Sequence, residues 1–158
     1  MELRLFEKED YELLIGWIDS GKLNYLWGGP KFEFPLDFEQ ISQHCSQPEV
    51  LPFIFVVSGE TAGYVELVKV ADSHFRICRV FVSSGFRGQG TSKLMLGKLV
   101  ELAKVKYNAS VLSLAVFDQN TVAKNCYESL GFSVISIENS TRSFDGEVWG
   151  LLRMERQL

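Results

Sequence analysis

Three glycines, Gly85, Gly88 and Gly90, punctuate the segment Val80-Phe81-Val82-Ser83-Ser84-Gly85-Phe86-Arg87-Gly88-Gln89-Gly90-Thr91-Ser92-Lys93. An apolar run enters this loop and an amphipathic run leaves it, which is the pattern of a strand feeding directly into a helix. Such a junction favours an anion. The first N–H groups of a helix lack internal acceptors, the macrodipole places partial positive charge there, and glycine lets the backbone come close. Arg87 and Lys93 add charge. The residue types then exclude two common anions. A P-loop needs a lysine after its last glycine, and although Gly85–Gly90 has the GxxxxG spacing, Thr91 stands where that lysine is required. A GxGxxG dinucleotide fingerprint fails at Lys93, where the third glycine is due, and the next strand lacks an acidic residue at its end in the usual place.

A second constellation lies downstream, Asn120-Thr121-Val122-Ala123-Lys124-Asn125-Cys126-Tyr127-Glu128-Ser129-Leu130-Gly131-Phe132. Its spacing puts Ala123 and Tyr127 on one helix face, four residues apart. Asn120 is a natural N-cap, and Gly131 sits where a C-terminal glycine is favoured.

Together these segments resemble the GNAT superfamily of acyl-CoA-dependent N-acetyltransferases. Arg87-Gly88-Gln89-Gly90-Thr91-Ser92 is similar to the family's Arg/Gln-x-x-Gly-x-Gly/Ala loop, with Ser92 as a small replacement at the last position. Asn120…Ala123…Tyr127…Gly131-Phe132 looks like the family's N-x-x-A-x-x-x-Y-x-x-x-G-F element, in the right order and at the right distance. The resemblance implies acetyl-CoA as co-substrate, its pyrophosphate arm lying on Arg87, Gly88, Gln89, Gly90, Thr91 and Ser92. It also implies a sheet splayed between His74–Val82 and Val111–Phe117, where Phe81 and Val82 offer backbone groups to the pantetheine arm and an N–H polarises the thioester carbonyl. Tyr127 is then the general acid for the departing thiolate, Asn120 holds the splayed strand or the pantetheine, and Asn125 reaches the far end of the cofactor.

The acceptor side is less well marked. An amine must lose a proton before it attacks, since a lysine-like amine has a pKa of about 10.4. Where some relatives place a glutamate before the second motif this chain has Ala115, and in the strand before the glycine loop it has Arg76 and Arg79. Glu66 is the candidate base, directly or through water, with Asp118 second; an outward-facing, solvated Glu66 is the competing reading. The resemblance places the acceptor near Tyr25-Leu26-Trp27-Gly28-Gly29-Pro30 and Phe34, with Trp27 and Phe34 as binding residues.

These motifs need elements to hold them. Alternation predicts a strand over Glu2–Phe6. Helical spacing of Tyr11, Leu14, Ile15 and Ile18 predicts a helix capped by Asp10 and stopped at Gly21. Leu23–Pro35 reads as a loop, and Asp37 opens a helix carrying Phe38, Ile41 and Cys45. Strands are predicted over Phe53–Val57, Ala62–Val70 and His74–Val82, with a turn at Ser58–Thr61. A helix over Ser92–Lys106 presents Met95, Leu99, Leu102 and Val105. Then come a strand over Val111–Phe117, a helix over Thr121–Leu130 with Val122, Ala123, Cys126, Tyr127 and Leu130 on one face, and strands over Phe132–Ile137 and Glu147–Met154 around Asp145-Gly146. The expected class is α+β, a GNAT-like mixed and mostly antiparallel sheet of about six or seven strands with a central parallel splayed pair and about four helices.

Composition sets the outer bounds. The 158 residues suit one domain, with no linker or repeat dividing them. Sixteen basic and twenty acidic residues give a net charge of −4, which does not favour nucleic acid or an anionic membrane as partner. Three separated cysteines and two histidines give neither a disulfide framework nor a metal site. No apolar run approaches the length of a membrane span, and Met1-Glu2-Leu3-Arg4 is not signal-like, so a cytoplasmic monomer or homodimer is expected. The leading reading is an acetyl-CoA-dependent transfer to a primary amine of a small molecule or protein N-terminus, by direct attack in a ternary complex. Its rival is a non-catalytic acyl-CoA sensor or interaction module, motivated by the missing obvious base. A nucleotide-phosphate module stands third.

Overall fold

A computed structural model describes the backbone of residues 1–158 and the side chains of all but residues 140 and 141. The elements run β1 (Glu2–Leu5), α1 (Tyr11–Trp17), α2 (Gly21–Gly28), α3 (Phe38–Cys45), β2 (Val50–Val57), β3 (Glu60–Ala71), β4 (His74–Val82), α4 (Thr91–Val105), β5 (Val111–Phe117), α5 (Thr121–Ser129), β6 (Ser133–Phe144) and β7 (Glu147–Gln157). Among the described residues they make one seven-stranded sheet in the order β1-β2-β3-β4-β5-β7-β6. All neighbours are antiparallel except the central pair β4–β5, which is parallel. The α+β class and mixed sheet are those expected. The β2–β3 and β6–β7 hairpins turn on Ser58-Gly59 and Asp145-Gly146, each pair at positive φ, which matches the strand twist. Among the described residues no helix is long and apolar enough to cross a membrane.

Strand alternation divides the core between the two faces of the sheet. On one face Phe53, Phe55, Val65, Leu67, Phe75, Ile77, Leu112 and Leu114 pack with Met95, Leu96, Leu99, Val100 and Ala103 of α4 and with Tyr127 of α5. On the other, Ile54, Tyr64 and Phe81 pack with Leu14, Ile18, Trp27 and Ile41 from the first three helices.

Local corrections have clear causes. Gly21 does not stop a helix; it begins α2, because Ser20 Oγ accepts from the Leu23 amide at 3.1 Å and caps a new start. This fifth helix lies where a loop was expected. The buried stripe of α4 runs through Leu96, Val100 and Ala103 as well as Met95 and Leu99, leaving Val105 68% exposed. Val122, placed by spacing on the inner face of α5, is 81% exposed. Strand β2 starts earlier than expected and contains Pro52, whose carbonyl accepts from Phe6 N at 3.0 Å. Strands β6 and β7 are longer than the alternation alone suggested, with a register shift between Glu138 and Arg142.

One irregularity positions the site. Between the pairs Tyr64–Phe81 and Glu66–Cys78, β4 carries two residues, Arg79 and Val80, against the single Val65 of β3. This is a β-bulge, and Arg79 adopts φ 51°, an unfavourable left-handed conformation for a residue with a Cβ. A buried ion cluster holds it there. Arg79 Nε donates to Glu66 Oε1 at 2.6 Å, and His44 Nε2 donates to the same carboxylate at 2.9 Å. Tyr64 Oη donates to its other oxygen. Glu66 is wholly buried. Burial opposes its ionisation, but the His44 hydrogen bond and the Arg79 charge outweigh it and keep the carboxyl below its ordinary range.

Two outcomes follow from this architecture. Glu66→Gln leaves Arg79 without its counter-charge and should cost about 3 kcal/mol in urea unfolding at pH 7. Because the folded carboxyl has a depressed pKa, its stabilisation is complete above the ordinary value of 4.5 and is lost as pH falls below it, so the gap between variant and parent should narrow in acid. An added Cβ at Gly63 would lie 2.6 Å from the Phe81 carbonyl and 3.0 Å from Met95 Sδ. Gly63→Ala should therefore destabilise by about 1–3 kcal/mol in the same assay and disturb the start of the glycine loop.

Candidate active site

The parallel ladder has three rungs, His74–Val111, Phe75–Leu112 and Arg76–Ser113, and then ends. Strand β5 continues beside β7 as far as Phe117–Leu151, while β4 follows β3 through the bulge. A cleft of about 310 Å³ opens between them. One wall is Arg76–Val80 of β4. The opposite wall is Ala115–Phe117 of β5 with Asn120, Ala123 and Tyr127 of α5. Tyr25–Pro30 form a lip, and Arg142, Leu151 and Arg153 contribute from β6 and β7.

Tyr127 is buried and reaches this cleft. Desolvation first, then the neighbouring Cys126 and Cys78 thiols, hold its phenol well above the usual value of 10, so it carries its proton at neutral pH. Cys78 also reaches the cleft, and burial pushes its thiol up to about 11. A protonated, half-buried thiol is a poor nucleophile. Asn120 caps α5, its Oδ1 accepting from Ala123 N at 3.1 Å, and also faces the cleft. Trp27 Nε1 donates to the Arg79 carbonyl at 3.0 Å, which ties the lip to the bulge.

The glycine loop continues from the same strand. Phe81 is buried against Trp17, while Val82 offers its carbonyl to Arg87 Nε at 2.9 Å; the two residues connect the cleft wall to the loop. Arg87 also lies over the Phe81 ring, 5.3 Å from its centroid. Gly88 and Gly90 have φ of 73° and 74°, and Gly90 is the N-cap of α4 with no side chain to cover it. A Cβ at Gly85, Gly88 or Gly90 would meet nothing within 4 Å, so the loop surface is open. Gln89 Nε2 and Thr91 Oγ1 turn back to the Gly85 and Phe86 carbonyls at 3.0 and 2.8 Å, and both brace the loop. Ser92 is half-buried on the first turn of α4. Free amides, guanidinium charge and an open floor suit the diphosphate arm of coenzyme A, and the cleft at the end of β4 suits its thioester end.

Not every expected residue is gathered here. Glu66 is neither a cleft residue nor solvated on the surface; it is enclosed by Arg79, His44 and Tyr64, whose donors occupy its oxygens. Asp118 lines a separate depression with Gln119, Asn139 and Gly150. Phe34 is 45% exposed beside Gly21, outside the cleft lining, and Asn125 is exposed on the outer side of α5. Arg142 and Arg153 join the cleft without having been singled out from sequence, whereas Tyr25–Pro30 were expected near the acceptor; Arg153 had a readable signal, a charged residue inside the apolar run Leu151–Met154.

Comparison with known proteins agrees with this geometry. The sequence profile described as Acetyltransferase (GNAT) family matches residues 11–132. Spermidine N(1)-acetyltransferase of Escherichia coli K12 is 25% identical over 136 residues, covering 85% of this chain and 73% of that protein. Human N-acetylaspartate synthetase is 33% identical over 98 residues, covering 61% of this chain and 32% of that protein. Among solved structures, Vibrio cholerae spermidine N-acetyltransferase in complex with CoA and spermine superposes with TM-score 0.85 at 18% identity, covering 99% and 94% of the two chains. Ribosomal-protein-alanine N-acetyltransferase of Brucella melitensis superposes with TM-score 0.81 at 18% identity over the full length of both. With a profile match across most of its length, an open parallel pair and a glycine loop shaped for coenzyme A, the chain belongs to the GNAT acetyltransferase family and uses acetyl-CoA as its co-substrate.

Proposed function

We propose that this single-domain, cytoplasmic enzyme transfers the acetyl group to a primary amine by direct attack in a ternary complex, with Tyr127 as general acid. The observation that carries this reading is the buried Tyr127 phenol, held in its protonated form and lining the cleft between β5 and the strand that feeds the glycine loop. Bound acetyl-CoA supplies an activated thioester. Arg87 and the first amides of α4 hold its diphosphate arm, and the backbone from Val80 to Val82 leads the pantetheine toward the cleft. As the amine nitrogen bonds to the acyl carbon, the carbon–sulfur bond breaks and Tyr127 protonates the departing sulfur. The attacking amine, neutral when it reacts, gives one proton to solvent and keeps one on the amide nitrogen, and solvent reprotonates Tyr127.

The cleft lining contains no carboxylate. Its guanidinium groups disfavour the charged ammonium and thereby lower the acceptor pKa, an effect that stands in for a fixed base. The compounds named for the relatives differ in charge: the acceptor spermidine is a polycation, whereas the product N-acetylaspartate carries carboxylates. The absent carboxylate base also gives the acyl-CoA sensor reading its one support.

Thermal unfolding with and without acetyl-CoA, followed by thiol release across an amine panel, separates these readings. Catalysis predicts stabilisation and amine-dependent thiol release, while a sensor gives stabilisation alone. Tyr127→Phe should lower kcat by about 100-fold with little change in the acetyl-CoA dissociation constant. Unchanged turnover removes Tyr127 from the acid role.

A further inference from the structure

Four arginines, Arg76, Arg79, Arg142 and Arg153, reach the cleft, and no aspartate or glutamate lines it. Arg79 and Arg153 bring counter-charges from outside the lining: Glu66 at 2.6 Å for the first and Glu138 at 3.1 Å for the second. Arg76 differs. It is exposed, and among the described residues it forms no ion pair or side-chain hydrogen bond.

Its position on the sheet is determined by its neighbours. Phe75 and Ile77 are buried with α4 and α5, so alternation sends Arg76 to the opposite face, the one covered by α2. Leu112 and Leu114 fix the same alternation on β5, which places Ser113 and Ala115 on the face of Arg76. Arg76 pairs with Ser113 from the β4 side, and Arg153 pairs with Ala115 from the β7 side. Two guanidinium-bearing positions therefore flank one short stretch of β5 where the parallel ladder stops and the cleft begins. The diphosphate arm does not account for Arg76. Five residues of strand, a span of at most about 20 Å, separate it from Val82, where the glycine loop begins.

We propose that the acceptor is a small primary amine bearing a carboxylate, and that Arg76 binds this carboxylate. The proposal rests on the amine-transfer reading above and deepens it. A planar guanidinium takes a carboxylate through two parallel N–H bonds, which would fix the acceptor's orientation as well as its charge. A polyamine would meet like charge from Arg76 and find no acidic partner in the lining. Lysine at this position would keep the charge and lose the fork.

The test is steady-state thiol release at saturating acetyl-CoA. The acceptors are glycine, β-alanine, L-aspartate and L-glutamate, the corresponding carboxamides, phosphoethanolamine and spermidine. At least one acid should exceed its carboxamide in kcat/KM by about tenfold, with spermidine and phosphoethanolamine below that acid. Arg76→Gln should remove most of that preference by lowering kcat/KM for the acid about tenfold more than for its carboxamide, leave the acetyl-CoA dissociation constant unchanged, and keep the parent unfolding temperature. Arg76→Lys should recover part of the preference. Equal or better use of carboxamides, phosphoethanolamine or spermidine overturns the proposal, as does an acid preference that survives Arg76→Gln. Turnover confined to cationic amines would overturn it while leaving amine transfer intact. Acetyl-CoA binding with no amine turned over at all would overturn both.

Discussion

The separation of β4 from β5 depends on a charged residue held in an unfavourable backbone conformation. Parallel strands ordinarily continue side by side, and a flat continuation here would close the cleft with ladder hydrogen bonds. The extra residue in β4 turns the strand away, and the buried carboxylate of Glu66 fastens the side chain at the turn. An ion cluster so deep in a sheet is a costly way to gain stability, because each charge must be stripped of water. Its effect is geometric: it selects the bent strand over the straight one. His44 and Tyr64 complete the cluster from α3 and β3, so three parts of the chain share responsibility for one backbone irregularity.

The ease of reading the sequence followed the distance between interacting residues. The glycine loop was legible because its chemistry is local: amides, glycines and Arg87 fall within one turn of chain. The proposed acid on α5 was legible for the same reason, with Asn120, Ala123 and Tyr127 related by helical spacing. The role of Glu66 was hidden, since its partners His44 and Arg79 lie 22 and 13 residues away and their approach depends on strand register. Helix α2 was missed because glycine ordinarily ends helices, whereas Ser20 supplied the N-cap that makes Gly21 a beginning. Asp118 was plausible by its place after β5, but its side chain turns toward Gly150 on the far side of the strand end.

Charge is distributed unevenly despite an acidic total. The net value of −4 describes the surface as a whole, while the cleft and the loop are lined by arginine. Two kinds of positive feature serve the two ends of the site. At the loop, the positive features are backbone amides and an exposed Arg87. In the cleft, guanidinium groups stand on strands whose positions are fixed by the ladder. Whole-chain charge thus says little about the chemistry of a recess that occupies a small part of the surface.

The bond from the Trp27 indole to the Arg79 carbonyl joins the lip of the cleft to its floor across 52 residues of chain. Helix α2 and the kinked strand therefore constitute a single mechanical part. In descendants of this sequence, drifting the lip to admit a bulkier guest would also pull on the bulged wall of the cleft. Divergence toward new guests should consequently accumulate in side chains projecting from β5 and β7, and leave the tethered pair inherited largely unaltered.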